Sequence, residues 1–146
     1  MSAFEVDPDD LAELWANVGP WVEEAKAAAL LGIEIADLEH LSQTFQILGC
    51  EFPGQTWLYP VQQFIDGGIV QGLQRVCTVL HFVGGADNYR IADWLAERTS
   101  FTDPERTVWD ELREGNTDHV LQAAQRDADL WKLRREWERY PPPELP

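Results

Sequence analysis

The chain reads as a mainly α protein: a winged helix-turn-helix-like N-terminal part with one small β-hairpin, followed by a helical module. Three observations predict this. Apolar residues recur at helical spacing in most of the longer segments. Gly, Gly-Gly or Gly-Pro punctuates those segments where a helix would stop. One stretch, "LGCEFPGQTWLYP", instead alternates apolar and polar residues around a Pro-Gly pair.

"VDPDDLAELWANVGP" predicts the first helix. Pro8 suits a first turn, Asp9 and Asp10 suit the positive helix end, and Gly19-Pro20 stops it. Leu11, Leu14, Trp15 and Val18 form one apolar stripe. A second, Ala-rich helix is expected over about Trp21–Leu31, closed by Gly32, and a third from about Ile35 to Leu48, closed by Gly49. Ile35, Leu38, Leu41, Phe45 and Leu48 share its apolar face. Pro53-Gly54 suits a type II turn, so a hairpin follows, with Phe52 and Trp57 near its ends.

Beyond residue 60 the pattern is helical. Ile69, Leu73, Val76, Leu80 and Val83 predict one helix, and Ile91, Trp94 and Leu95 a second after Gly84-Gly85. "PERTVWDELREGN" predicts a short helix ended by Gly115. A long last helix begins near Thr117 and reaches toward Tyr140; "PPPELP" cannot continue it. The expected division is 1–59, the helix-turn-helix-like part with its hairpin; 60–140, a helical partner-binding module; and 141–146, an extended tail.

Charge constrains function. The 146 residues carry a formal net charge of −15. Residues 1–74 contain one base, Lys26, against twelve acids. "AAALLGIEIADLEHL", the helix-turn-helix outline itself, holds Glu34, Asp37 and Glu39 with no Lys or Arg. DNA binding needs cations that neutralise phosphates and release counterions, so a nucleic-acid partner is not expected here. No apolar run approaches the roughly 18 residues of a membrane span and no signal-like N-terminus is present. The expected setting is the cytoplasm, with no membrane partner.

No catalytic, cofactor or metal constellation emerges. Cys50 and Cys77 lie apart and read as reduced, buried thiols. His40, His81 and His119 share no spacing with Cys or Ser. Asp37 and His40 stand at i, i+3, but no second such pair exists to complete a bundle site. Gly67-Gly68 and Gly84-Gly85 lack phosphate-loop context and read as helix stops.

The Trp residues divide. Trp15, Trp57 and Trp94 fall on expected apolar faces. Trp131 and Trp137 lie in "LWKLRREWERY", interleaved with Lys132, Arg134, Arg135 and Arg139, the chain's one basic cluster. Trp and Arg are the residue types enriched at binding hot spots. Trp131, Arg134, Arg135 and Trp137, together with Trp109, are therefore the candidate partner contacts; packing of the last helix on its own domain is the alternative. Attraction between this cluster and the acidic N-terminal half also predicts a homodimer.

Several short motifs occur in a recognisable order: "AALLGI", "LYPVQQF", "GGIVQGLQRVCTVL", "IADWLAE" and "ELREGNTDHVLQAA". Together, over roughly residues 25–125, they resemble the bacterial antitoxin family whose toxin-binding domain is shared by the Xre, MbcA and ParS antitoxins. The matching positions are Tyr59, Pro60, Gln63 and Phe64; Trp94 and Leu95; Leu112 and Gly115; and Ala123-Ala124. The resemblance implies a non-enzymatic protein that binds and masks a toxin of the RES type, which consumes NAD, through its C-terminal part. A winged-helix transcriptional regulator, or an orphan relative with neither activity, are the alternatives.

Overall fold

The computed structural model describes residues 8–99, 105–141 and 143, with side chains from residue 12 onward. Leu11's share of the first stripe and most of the 141–146 tail lie outside that range. The described chain is mainly helical with two small antiparallel sheets. Among the described residues no helix is long and apolar enough to cross a membrane.

Helix α1 spans Pro8–Val18, and Leu14 and Val18 enter the core as their spacing predicts. Trp15 does not: it is 51% exposed. Its indole stacks on Trp21 (centroids 6.1 Å apart) and meets the edge of Phe52, so the three rings form an aromatic group on the rim rather than in the core.

The second helix starts later than its sequence suggests. Trp21–Glu23 is a strand, β1, and α2 covers Glu24–Leu31. Strand β1 pairs with β3 (Thr56–Pro60), which also pairs with β2 (Cys50–Phe52), giving the order β1-β3-β2. The partner strand arrives some 35 residues later and satisfies backbone groups of Trp21–Glu23 that a helix would otherwise use. The β2–β3 hairpin is the one expected, with Phe52 opposite Thr56 across the Pro53-Gly54-Gln55 loop.

Helix α3 is shorter than expected, Ile35–Gln43. It ends where Phe45 adopts φ 58°, the left-handed region, and the Gln46 N–H reaches back to the Leu41 carbonyl at 2.9 Å. Such a conformation costs a non-Gly residue roughly 1–2 kcal/mol. It turns the Phe45 ring onto His81 and Phe82 (centroids 5.1 and 6.4 Å) and lets Ile47 and Leu48 enter the core.

Gly67-Gly68 is not a helix stop. Phe64–Ile65 (β4) and Gly68–Ile69 (β5) form a two-stranded ribbon, and Asp66 and Gly67 both take positive φ between them. Asp-Gly with two positive φ values is the type I′ hairpin turn, and Ile69 consequently leaves the helix expected for it. Helix α4 (Leu73–Thr78) runs directly into a π-helical turn, Val79–Val83. Helices α5 (Asn88–Leu95), α6 (Val108–Arg113) and α7 (Thr117–Arg139) follow at their expected places.

The larger buried cluster draws on both sides of residue 60: Leu14, Val18, Leu48 and Cys50 pack with Val76, Leu80, Ile91, Leu112, Val120 and Ala124. A smaller cluster, Ala27, Ala28, Leu38, Ile47 and Tyr59, sits beneath α2 and α3. Gln63 ties the two regions. Its amide oxygen accepts from the Leu48 N–H at 2.8 Å, and its amide nitrogen donates to the Leu48 and Pro60 carbonyls at 2.8 and 3.0 Å. It is the buried polar side chain among the described residues.

Candidate functional site

Helix α7 carries most of the sequence-derived candidates, and its two faces have separate roles. Val120, Ala124, Ala128, Trp131 and Arg135 follow each other at three- and four-residue steps along the face that meets the body. There Ala128 and Trp131 lie against Gly84, where a side chain would come within 2.6 Å of the Leu80 carbonyl and 2.9 Å of the Trp131 ring. Trp131 is half-buried and the Arg90 guanidinium stacks over it at 3.9 Å. Arg135 donates to the carbonyls of Val83 (2.9 Å) and Gly84 at the end of the π-helical turn. Both side chains thus serve the attachment of α7 to its own domain.

Trp109 also belongs to the interior. It is 1% exposed and sits in the larger core cluster, so no face of its ring is offered to a partner. Its indole N–H has no hydrogen-bond partner among the described residues. Of the five candidates, Arg134, Arg135 and Trp137 stand exposed, Trp137 at 60%, and of these three Arg135 is tied to the Val83 and Gly84 carbonyls.

Around Trp137 lie apolar residues that were not among the sequence-derived partner contacts. Leu130, Leu133 and Trp137 are 55%, 48% and 60% exposed and fall on the face of α7 opposite Ala124 and Ala128, and Tyr140, 75% exposed, follows as the residue that caps its C-terminal end. Their 3-4-3 spacing is that of a helix seam that packs against another helix. Arg134 borders this stripe on one side, Asp129 and Glu136 on the other. This spacing is legible in the sequence, where Lys132, Arg134 and Arg135 interrupt the leucines.

A second surface is built by α3, the β2–β3 hairpin and the π-helical turn. Glu34, Asp37, Glu39 and His40 are exposed on or beside α3, and neither α3 nor the hairpin contains a Lys or Arg. Several motif residues of the resemblance serve packing: Tyr59, Leu95, Leu112 and Ala124 are buried, and Trp94 donates its indole N–H to Asp127 at 2.8 Å. Among the described residues no group of three or more His, Cys, Asp or Glu could hold a metal ion. Cys50 and Cys77 are free and buried; burial pushes both thiols up, Cys77 to about 12.

No protein-family model matches the chain, and no curated protein does. Among solved structures, the NMR structure of Rv2175c is similar, with a TM-score of 0.63 and 21% identity over 85% of each chain. At that identity the likeness is one of fold.

Proposed function

We propose that this chain is a non-catalytic protein-binding module whose contact surface is the outer face of α7. The exposed seam of Leu130, Leu133, Trp137 and Tyr140 carries this reading. A contiguous apolar stripe at helical spacing is the chemistry of helix-in-groove recognition, in which alternating anchors bury their side chains in a partner. Arg134 supplies a directional polar contact at its edge. The order of motifs from Tyr59 to Ala124 supports the finer form: an antitoxin-like protein, cytoplasmic, that masks a RES-type toxin.

A second reading, a winged-helix regulator, is favoured by one observation. Helix α2, a Gly32 turn, α3 and the β2–β3 hairpin follow in the order of a winged helix-turn-helix. Its charge opposes it, because the helix that would enter the major groove presents carboxylates to phosphate.

The deciding experiment coexpresses the full chain with RES-domain toxins of the same genome and follows cellular NAD and growth. Protection by the wild type, lost in a Leu133→Ser/Trp137→Ala double variant that still folds, supports masking through α7. Protection that the double variant retains removes α7 as the surface. Salt-sensitive retention on duplex DNA with no protection puts the regulator first.

A further inference from the structure

The surface between α3, the hairpin and the π-helical turn is a groove of about 580 Å³, within the range of small-ligand sites. Its walls combine two kinds of group. Trp57, Tyr59 and Phe82 present aromatic rings, and Glu24 and Glu39 present carboxylates. No Lys or Arg lines it. Aromatic faces attract cations through their quadrupoles, and carboxylates attract them through charge. Phosphate, sulfate and carboxylate ligands would meet two carboxylates and no Lys or Arg to neutralise them.

Two features show that this groove is built rather than incidental surface. Phe82 is 72% exposed at the groove mouth, where its ring is held edge-on to Phe45 and His81. Tyr59 is only 2% exposed as a residue, while its hydroxyl lies open at the groove with no hydrogen-bond partner among the described residues. Burial, with Glu24 and Glu39 adding to it, pushes this hydroxyl up to about 12, which keeps it protonated at neutral pH beside the two carboxylates. Its oxygen is an open acceptor in an acidic, aromatic setting.

We infer that this groove binds an organic cation, an ammonium or guanidinium group, with Glu24 and Glu39 neutralising it, Trp57 and Phe82 covering its faces and the Tyr59 hydroxyl accepting one of its N–H bonds. The same chemistry is offered by a free amine and by the Lys or Arg side chain of a protein. The inference stands apart from the α7 seam and does not depend on it.

The test is an NMR titration of the full-length chain, at fixed ionic strength, with agmatine and with a short Gly-Arg-Gly peptide blocked at both ends. Saturable shifts centred on Trp57, Tyr59 and Phe82 are expected. They should weaken at least about tenfold in Glu24→Gln/Glu39→Gln, equivalent to about 1.4 kcal/mol. They should weaken in Tyr59→Phe and Phe82→Ala, and stay unchanged in Asp129→Asn, which removes a carboxylate on α7. Binding of agmatine identifies a small amine as a sufficient ligand; binding of the peptide alone places the cation on a macromolecule. Absence of saturation with both probes, or equal weakening in Asp129→Asn and the groove variants, overturns the inference, since the shifts would then report the net charge of −15 and no site.

Discussion

The guanidinium of Arg135 occupies the space that a side chain on Gly85 would fill. Gly85 takes φ 72° at the end of the π-helical turn, and Arg135, fifty residues later on α7, reaches over it to the Val83 and Gly84 carbonyls. The positive group faces the negative end of the turn. Gly85 therefore meets two demands, a left-handed backbone and a vacant Cβ position.

Gly85→Ala should destabilise the protein more than left-handed strain alone, roughly 1–2 kcal/mol, because the new methyl also displaces Arg135. In an Arg135→Ala background the same substitution should cost only the strain. A double-mutant cycle by urea unfolding reads the difference as a coupling energy. Additive costs would mean that Arg135 does not hold this position in solution.

Gln63 is the test of the internal polar tie. Gln63→Ala strands the N–H and carbonyl of Leu48, both buried, and should cost about 2–4 kcal/mol, one to two unsatisfied groups at about 1–3 kcal/mol each. Gln63→Glu should be worse at neutral pH, since a carboxylate would face the Leu48 and Pro60 carbonyls, and should recover as pH falls and the acid takes a proton. Thermal unfolding at pH 5 and pH 7.5 checks both.

Glu97 gives a pH dependence of defined sign. Desolvation, with the charges of Asp127 and Asp93, raises its pKa above 4.5, against a smaller opposing effect of Arg90. A folded-state pKa above the unfolded value means the native state binds the proton more tightly. Its contribution is favourable below about 4.5 and is lost as pH rises through the raised value. Glu97→Gln should therefore raise the melting temperature at pH 7, with the gain vanishing near pH 4. A gain independent of pH would contradict the assignment.

The thiols of Cys50 and Cys77 should be inert. Both are 0% exposed, and burial keeps them protonated well above neutral pH. A thiol reagent at pH 8 should label them at the rate of global unfolding, and quickly only in denaturant. Fast native-state labelling of either would show that the core opens locally.

Much of the fold was legible. The ends of α1 and α7, the start of α5 and the β2–β3 hairpin follow from punctuation and periodicity, both local in sequence. The errors share a cause. Trp21–Glu23 becomes a strand because β3 arrives later to pair with it. Helix α3 stops at Phe45 because His81 and Phe82 offer that ring a place. Asp66-Gly67, by contrast, was a readable hairpin signal that the helical spacing of the residues after it obscured.

The candidate surfaces divide in the same way. By itself the sequence determined the mainly helical class, the acidic N-terminal half and the location of aromatic and basic groups on the last helix, because composition and spacing are properties of short windows. Only the tertiary structure decided which of those groups are free. Trp109, Trp131 and Arg135 were drawn into the core, a cation–π stack and a carbonyl clamp, leaving Trp137 and Arg134 beside two leucines and a tyrosine. Likewise, Glu24, Glu39, Trp57, Tyr59 and Phe82 span 59 positions in the chain and meet only where α2, α3, the hairpin and the π-helical turn pack together. Periodicity assigns a residue to a face of its own helix, whereas burial depends on what another part of the chain places against that face.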